Sequence, residues 1–199
     1  MTVPRLLLAV SILASLYATS TYALDIGGVL TAPKTLIDRA IEARSTEDIA
    51  KDNEIVLKVN AIMAKQTTIK ASTEIYEQRL LITGIFNDKP TYDAFERDVH
   101  AVPGIKQLYW HVKYMSDDDQ KKAHLLDWST VLVMGEKAQA RLVGTPGVAD
   151  VNFRTAVDST GTVYLLGRAR SQEEATKAFA RAKDGDGVKR VVNYVEVRP

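Results

Sequence analysis

The chain contains no cysteine in its 199 residues. No disulfide can brace it, so its folded parts must hold by packing alone. A bacterial lipoprotein carries its lipid on a cysteine just after the signal, and anchoring of that kind is therefore not expected. Net charge is equally scarce, with 26 Lys and Arg against 25 Asp and Glu. There is no global basic field of the sort that draws a protein to nucleic acid, and attraction to an anionic surface must come from a local patch. The three histidines, His100, His111 and His124, are scattered, with no second ligand at helical or hairpin spacing. No P-loop, dinucleotide fingerprint or nucleophile motif is present, and nothing brings a Ser, Asp and His together. The expected role is non-catalytic, with no cofactor and no metal.

Long apolar runs are also missing, except at the start. Arg5 supplies a positive region, Leu6 to Tyr17 form an apolar stretch, and Ala18, Thr19, Ser20, Thr21 and Ala23 supply small residues. This three-part pattern reads as an export signal over residues 1–23, too short to span a bilayer. Cleavage is expected after Ala23, with cleavage after Ser20 as the alternative. Removal of Arg5 with the signal leaves acidic and basic residues equal in number. The expected location is the periplasm, with no transmembrane segment after cleavage.

What is present is a repeat. Residues 84–114 shifted by 83 positions fall on 167–197, so that Gly84 meets Gly167 and Gly104 meets Gly187. A period of this length suits a self-contained domain better than a solenoid unit. Leu36, Ile37, Ala40 and Ile41 predict a short helix over 35–44. Ser45-Thr46-Glu47-Asp48 then starts a longer helix to about Ala64, with an apolar stripe broken by Asp52. Strands are expected at Ile69–Tyr76 and Arg79–Phe86, joined by a Glu77-Gln78 turn. Pro90 opens a helix that buries Tyr92, Phe95 and Val99, and Ile105–Tyr114 forms a last strand. Residues 116–122 read as a solvated connector, because their Asp triplet lacks the spacing of a calcium loop. The second copy repeats the order: a helix over Trp128–Val143, strands at Val151–Val157 and Thr162–Gly167, a helix capped by Ser171-Gln172-Glu173-Glu174, and a strand over Val188–Val197. Asn193 stands where the first copy has Trp110.

The order helix–strand–strand–helix–strand, twice, resembles the BON domain (bacterial osmotic-shock and nodulation domain). Gly161-Thr162-Val163-Tyr164-Leu165-Leu166-Gly167 resembles the family's strand ending in glycine, and Gly187-Val188-Lys189-Arg190-Val191-Val192-Asn193 its glycine-valine strand start. Leu80-Leu81-Ile82-Thr83-Gly84 and Pro103-Gly104-Ile105 occupy the matching places in the first copy. The resemblance implies an α+β fold of two αββαβ domains, each a three-stranded mixed sheet with two helices on one face, preceded by a short helix. The expected divisions are a signal over 1–23, an extension over 24–46, a first domain over 47–115, a linker over 116–126 and a second domain over 127–199. Gly84 and Gly167 are expected where a strand gives way to a helix connection, supplying a positive φ or a close backbone approach, and Gly104 and Gly187 at helix C-caps. The resemblance also implies an envelope protein and, in dual-BON members, association with phospholipid.

One candidate contact site follows. Trp128 opens the first helix of the second copy, behind Leu125 and Leu126. A tryptophan there can sit at a bilayer surface, with Val133 adding apolar area and Lys137 and Arg141 meeting phosphate. The competing reading is core packing, because Trp128 shares a helical side with Val131, Gly135 and Leu142. Arg168, Arg170, Lys177, Arg181 and Lys183 add positive charge that Glu173 and Glu174 partly offset. The expected partner is an anionic phospholipid surface or a membrane-associated envelope protein. The alternative is a protein-binding or chaperone-like module without lipid; the uncovered sheet faces at Tyr109 and His111 and at Val192 and Tyr194 can meet each other or a partner.

Overall fold

The computed structural model describes residues 41–66 and 70–199. The export signal and most of the short helix expected at 35–44 lie outside the described residues, and residues 42–44 are not helical. The first unit runs α1 (Thr46–Ala64), β1 (Ala71–Tyr76), β2 (Arg79–Phe86), α2 (Lys89–His100), β3 (Gln107–Tyr114). A six-residue helix, α3 (Asp117–Lys122), capped by Ser116, stands where a plain connector was expected, and none of its side chains is buried. The second unit runs α4 (Trp128–Leu142), a 3-10 turn (Asp150–Asn152), β4 (Phe153–Val157), β5 (Thr162–Ala169), α5 (Gln172–Lys183), β6 (Arg190–Val197). In each unit the central strand pairs antiparallel with the strand before it and parallel with the strand after it.

The break in the α1 stripe has a structural cause. Asp52 is 1% exposed, and its carboxylate accepts hydrogen bonds from the backbone N–H groups of Glu77 and Gln78 at 2.9 and 2.6 Å. Those two residues form the β1–β2 turn with φ of 53° and 62°, the left-handed pair that a tight hairpin requires. Arg44 adds a charged bond to Asp52 at 3.0 Å. A buried carboxylate therefore fastens the hairpin tip to the helix.

The repeated glycines provide the close approach expected of them, but from other places than expected. Gly84 and Gly167 lie inside β2 and β5, not at a strand–helix junction. A Cβ on Gly84 would lie 2.6 Å from the Lys70 carbonyl oxygen, and one on Gly167 would lie 2.2 Å from that of Asn152. Close approach of the chain entering the neighbouring strand is what excludes a side chain. Gly104 and Gly187 do have positive φ, 92° and 78°, but the caps are Ala101 and Asp184. Both glycines belong to the turns that follow. The capping box at Ser171 is also half as expected. Ser171 accepts from the Glu174 N–H at 3.1 Å, but Glu174 reaches past it to the N–H groups of Arg170 and Ala149. It thereby ties the loop before β4 to α5.

Each sheet is covered by its own helices on one face and by the other sheet on the second. All eight residues of β2 are buried, which a half-solvated strand would not show. Between the sheets lie Tyr76, Leu81, Ala156, Tyr164 and Leu166, flanked by Tyr109, Val192 and Tyr194. Tyr109 stacks on Tyr194 with ring centres 3.9 Å apart, and the His111 ring nitrogen shares a 2.8 Å hydrogen bond with the Tyr194 hydroxyl. Arg79, 6% exposed, donates across the seam to the carbonyls of Gly167 and Tyr194 at 2.7 and 2.9 Å. The result is a four-layer stack of helices, sheet, sheet and helices. Asn152 closes one end of it. Its amide oxygen accepts from the Tyr76 hydroxyl at 3.0 Å and the Ala43 N–H at 2.8 Å, and its nitrogen donates to the Ile41 carbonyl at 2.9 Å.

Glu74 lies on the β1 face turned toward the second sheet. Loss of water there pushes its carboxyl up to about 7, although Arg154 pulls the other way. A carboxyl whose folded value is raised contributes stability that is complete below its unfolded value and lost as pH rises through the folded one. Glu74→Gln is therefore expected to leave thermal stability at pH 3.5, below the ordinary carboxyl value, unchanged and to raise it at pH 8, by of order 1 kcal/mol after screening at the water-facing edge. Thermal unfolding at both pH values checks this, and an equal gain at both would contradict it. Gly167→Ala is expected to cost more than about 3 kcal/mol. Gly135→Ala, where an added methyl meets nothing within 4 Å, is expected to gain up to about 1 kcal/mol. Denaturant titration of the pair separates close approach from helix propensity.

Candidate functional site

The candidate site is the outer side of α4 and the segment leading into it. Asp127 caps the helix. Its carboxylate accepts from the Thr130 N–H at 2.9 Å and from the hydroxyls of Ser129 and Thr130 at 2.5 and 2.8 Å. The Ser129 hydroxyl and the Thr130 bonds hold it well below the usual carboxylate range, so it stays ionised. The first turn thus presents fixed negative charge beside Trp128. Leu126 is fixed by its N–H bond to the Ser159 carbonyl at 2.8 Å, and both Leu126 and Trp128 pack, half-buried, against the second core. Leu125 is half-buried as well.

The rest of the set is arranged differently. Val133 is 47% exposed, and Lys137 lies one turn further on, also exposed. Glu136 stands beside Lys137 in the open. Arg141 spends its Nε–H on the Arg181 carbonyl at 3.1 Å, in the last turn of α5. A Cβ on Gly185 would come within 2.4 Å of its guanidinium, so Gly185 is the gap through which that arginine reaches the helix end. A cation there complements the negative end of the helix dipole. The structure therefore divides the six residues. Leu125, Leu126 and Trp128 lean toward the core at the acidic end of α4. Val133 and Lys137 face outward along its middle, and Arg141 is moored at the far end.

The sheet faces suggested for protein binding are not open. Tyr109 and His111 meet Tyr164 and Tyr194 across the seam, with His111 4.2 Å from the Tyr164 ring, and burial lowers the His111 pKa. Sequence reasoning offered this meeting only as one of two options, because pairing between strands of different units leaves no local trace. It missed Arg79, Asn152 and the turn-binding role of Asp52. Only Asp52 gave a signal, as a charge inside an apolar stripe. Of the basic set on the second unit, Arg168 reaches the carbonyls of Ala43 and Pro199, Lys177 pairs with Glu173, and Arg181 pairs with Asp184. These are intramolecular uses of charge. Among the described residues no group of three His, Asp or Glu converges as a metal site, and no helix is long and apolar enough to cross a membrane.

The two units also differ in a hollow. In the first, Phe86, Phe95, Tyr92 and Trp110 fill the space between α2 and β3, with the Trp110 N–H donating to the Tyr92 hydroxyl at 3.2 Å. In the second, the matching space between α5 and β6 is a shallow groove of about 280 Å³ lined by Gln172, Ala175, Thr176, Phe179 and Asn193.

Comparison with known proteins bears on the second unit. Residues 135–199 match the BON domain family. A protein of Anaplasma centrale, described as an uncharacterized protein in the gshII 5′ region, is 26% identical over 149 residues, which cover 74% of this chain and 95% of that protein. Among solved structures, CdsD, a structural protein of the type III secretion system of Chlamydia trachomatis, aligns over 73% of this chain and 93% of its own at 11% identity and a TM-score of 0.30. Its C-terminal domain aligns at 10% identity and the same score. At that score the likeness carries no argument for this chain. The family match covers α4 from its middle onward, β4, β5, α5 and β6.

Proposed function

We propose that this is an exported protein of the bacterial envelope that makes weak, reversible contact with anionic phospholipid through the middle of α4 and supports envelope integrity under stress. The reading places it in the periplasm, without catalysis and without a cofactor. The BON domain at 135–199 carries the envelope assignment, since that family is associated with the envelope and with osmotic stress. The placement of Val133 and Lys137 on the open side of α4 supports the contact. Val133 offers apolar area to the headgroup region, and Lys137 offers charge to phosphate. Each basic residue near an anionic surface adds about 1 kcal/mol, so the contact is shallow and salt-sensitive. The ionised Asp127 turns the start of the helix away from an anionic surface, which makes Val133 and Lys137 the better contact than Trp128.

Co-flotation of the protein with phosphatidylglycerol and phosphatidylcholine vesicles tests this. Binding is expected with phosphatidylglycerol alone, fading as salt rises. Lys137→Glu is expected to cut it about fivefold to tenfold, and Val133→Asp to do the same, with unfolding temperatures unchanged because both side chains are exposed. Trp128→Ala is expected to lower the unfolding temperature first, through the packing it loses. Wild-type protein that stays unbound at low salt would end the lipid reading.

A further inference from the structure

We propose that two copies of this protein join along β6, antiparallel and centred on Asn193, to make one continuous six-stranded sheet from the two second units. The second sheet has the order β4-β5-β6, so β6 is an edge with a row of backbone groups that no strand satisfies. The Arg198 N–H bonds the Ala169 carbonyl at 2.8 Å. By alternation Arg190, Val192, Tyr194 and Glu196 turn their backbone groups inward, and Val191, Asn193 and Val195 turn theirs outward. The outward N–H of Val195 is held only by its neighbour's side chain, Asn193 Oδ1, at 3.0 Å. That local bond satisfies the edge in a single copy and is released by rotation of one side chain.

The charges select the partner and the register. β6 carries Arg190 at its start and Glu196 near its end. Arg190 is exposed and makes no ion pair among the described residues. Glu196 is 47% exposed, with Arg198 at 3.1 Å and Arg79 at 3.3 Å. An antiparallel copy centred on Asn193 sets Arg190 opposite Glu196 of the second copy at both ends. It also sets Val191 opposite Val195 and Val192 opposite Tyr194, so that outward backbone groups face outward backbone groups as the ladder requires. A slip of two residues one way brings Arg190 against Arg198, and the other way it brings Arg190 against Tyr194. Only the centred register is charge-complementary. The free edge of the first unit, β3, carries Lys113 and no acidic residue, a pattern that discourages pairing. The groove between α5 and β6, with Phe179 and Asn193 on its wall, lies along the proposed seam.

Sedimentation equilibrium on the full exported chain tests the proposal. The wild type is expected to dimerise, more tightly at low salt than at high. Arg190→Glu and Glu196→Arg are each expected to weaken association about tenfold, because like charges then oppose at both ends. An equal mixture of the two variants is expected to recover association as a heterodimer, since the mixed pair restores opposite charges. That recovery also separates lost pairing from misfolding of either variant. Lys113→Glu on β3 is expected to leave association unchanged. A wild type that stays monomeric across the micromolar range would overturn the proposal. So would a mixture no better than its parts, or a dimer that Lys113→Glu abolishes.

Discussion

A three-stranded sheet with helices on one face has a second face that water should not touch, and everything else in this fold answers to that. In one unit the uncovered face carries Tyr76 and Leu81, and in the other Ala156, Tyr164 and Leu166. A domain of this size has too small a core to leave such a surface bare. The second unit supplies a cover of matching shape, and the two sheets close on each other. Polar groups caught in the seam find partners: Arg79 reaches two carbonyls, Thr83 donates to the Val157 carbonyl at 3.1 Å, and Tyr164 donates to Asp158 at 2.9 Å. Without those bonds, burial of an arginine or a hydroxyl would undo the gain from the tyrosines and leucines around it. Among the described residues, the buried side-chain atoms without a partner are Gln78 Oε1 and Arg79 Nε, and they mark where the fit is least complete.

Local chemistry made much of this readable. Arg79–Phe86, the cap at Ser45 and Pro90 in the first turn of α2 are encoded by neighbours within a few residues, and the structure has them where the pattern put them. Non-local pairing was not readable. Arg79 and Gly167 are 88 positions apart, and Ala43 and Asn152 are 109 apart. No periodicity joins such residues. The glycines show the limit in miniature. Their spacing announced a repeat, but their reason, a carbonyl of an adjoining segment passing too close for a Cβ, lies across the sheet.

The candidate site was half legible for the same reason. The helical wheel of α4 grouped Trp128 with Val131 and Leu142 and set Lys137 and Arg141 on the other side. It carried no trace of Arg181, whose carbonyl engages Arg141 from a different helix. Nor did it show that the cap residue, Asp127, would hold its charge so firmly. Both facts move the useful surface toward the middle of α4. The two units have also diverged inside a shared frame. The first filled the helix–strand space with aromatic rings, and the second left alanines there, so one core is rigidly packed and the other keeps a recess at its edge.

Asn152 imposes an order of events. The backbone at Ile41 and Ala43 has its hydrogen-bond partners on an amide that is made more than a hundred residues later. A chain that emerges from its amino end can assemble α1 through β3, with Arg44 already on Asp52, before the amide that Ile41 and Ala43 bind exists. Only when the turn before β4 forms does the amide arrive, and it then captures the segment and the Tyr76 hydroxyl together. The fastening of Ile41 and Ala43 thus waits on the second half of the chain and reports that the two halves have met.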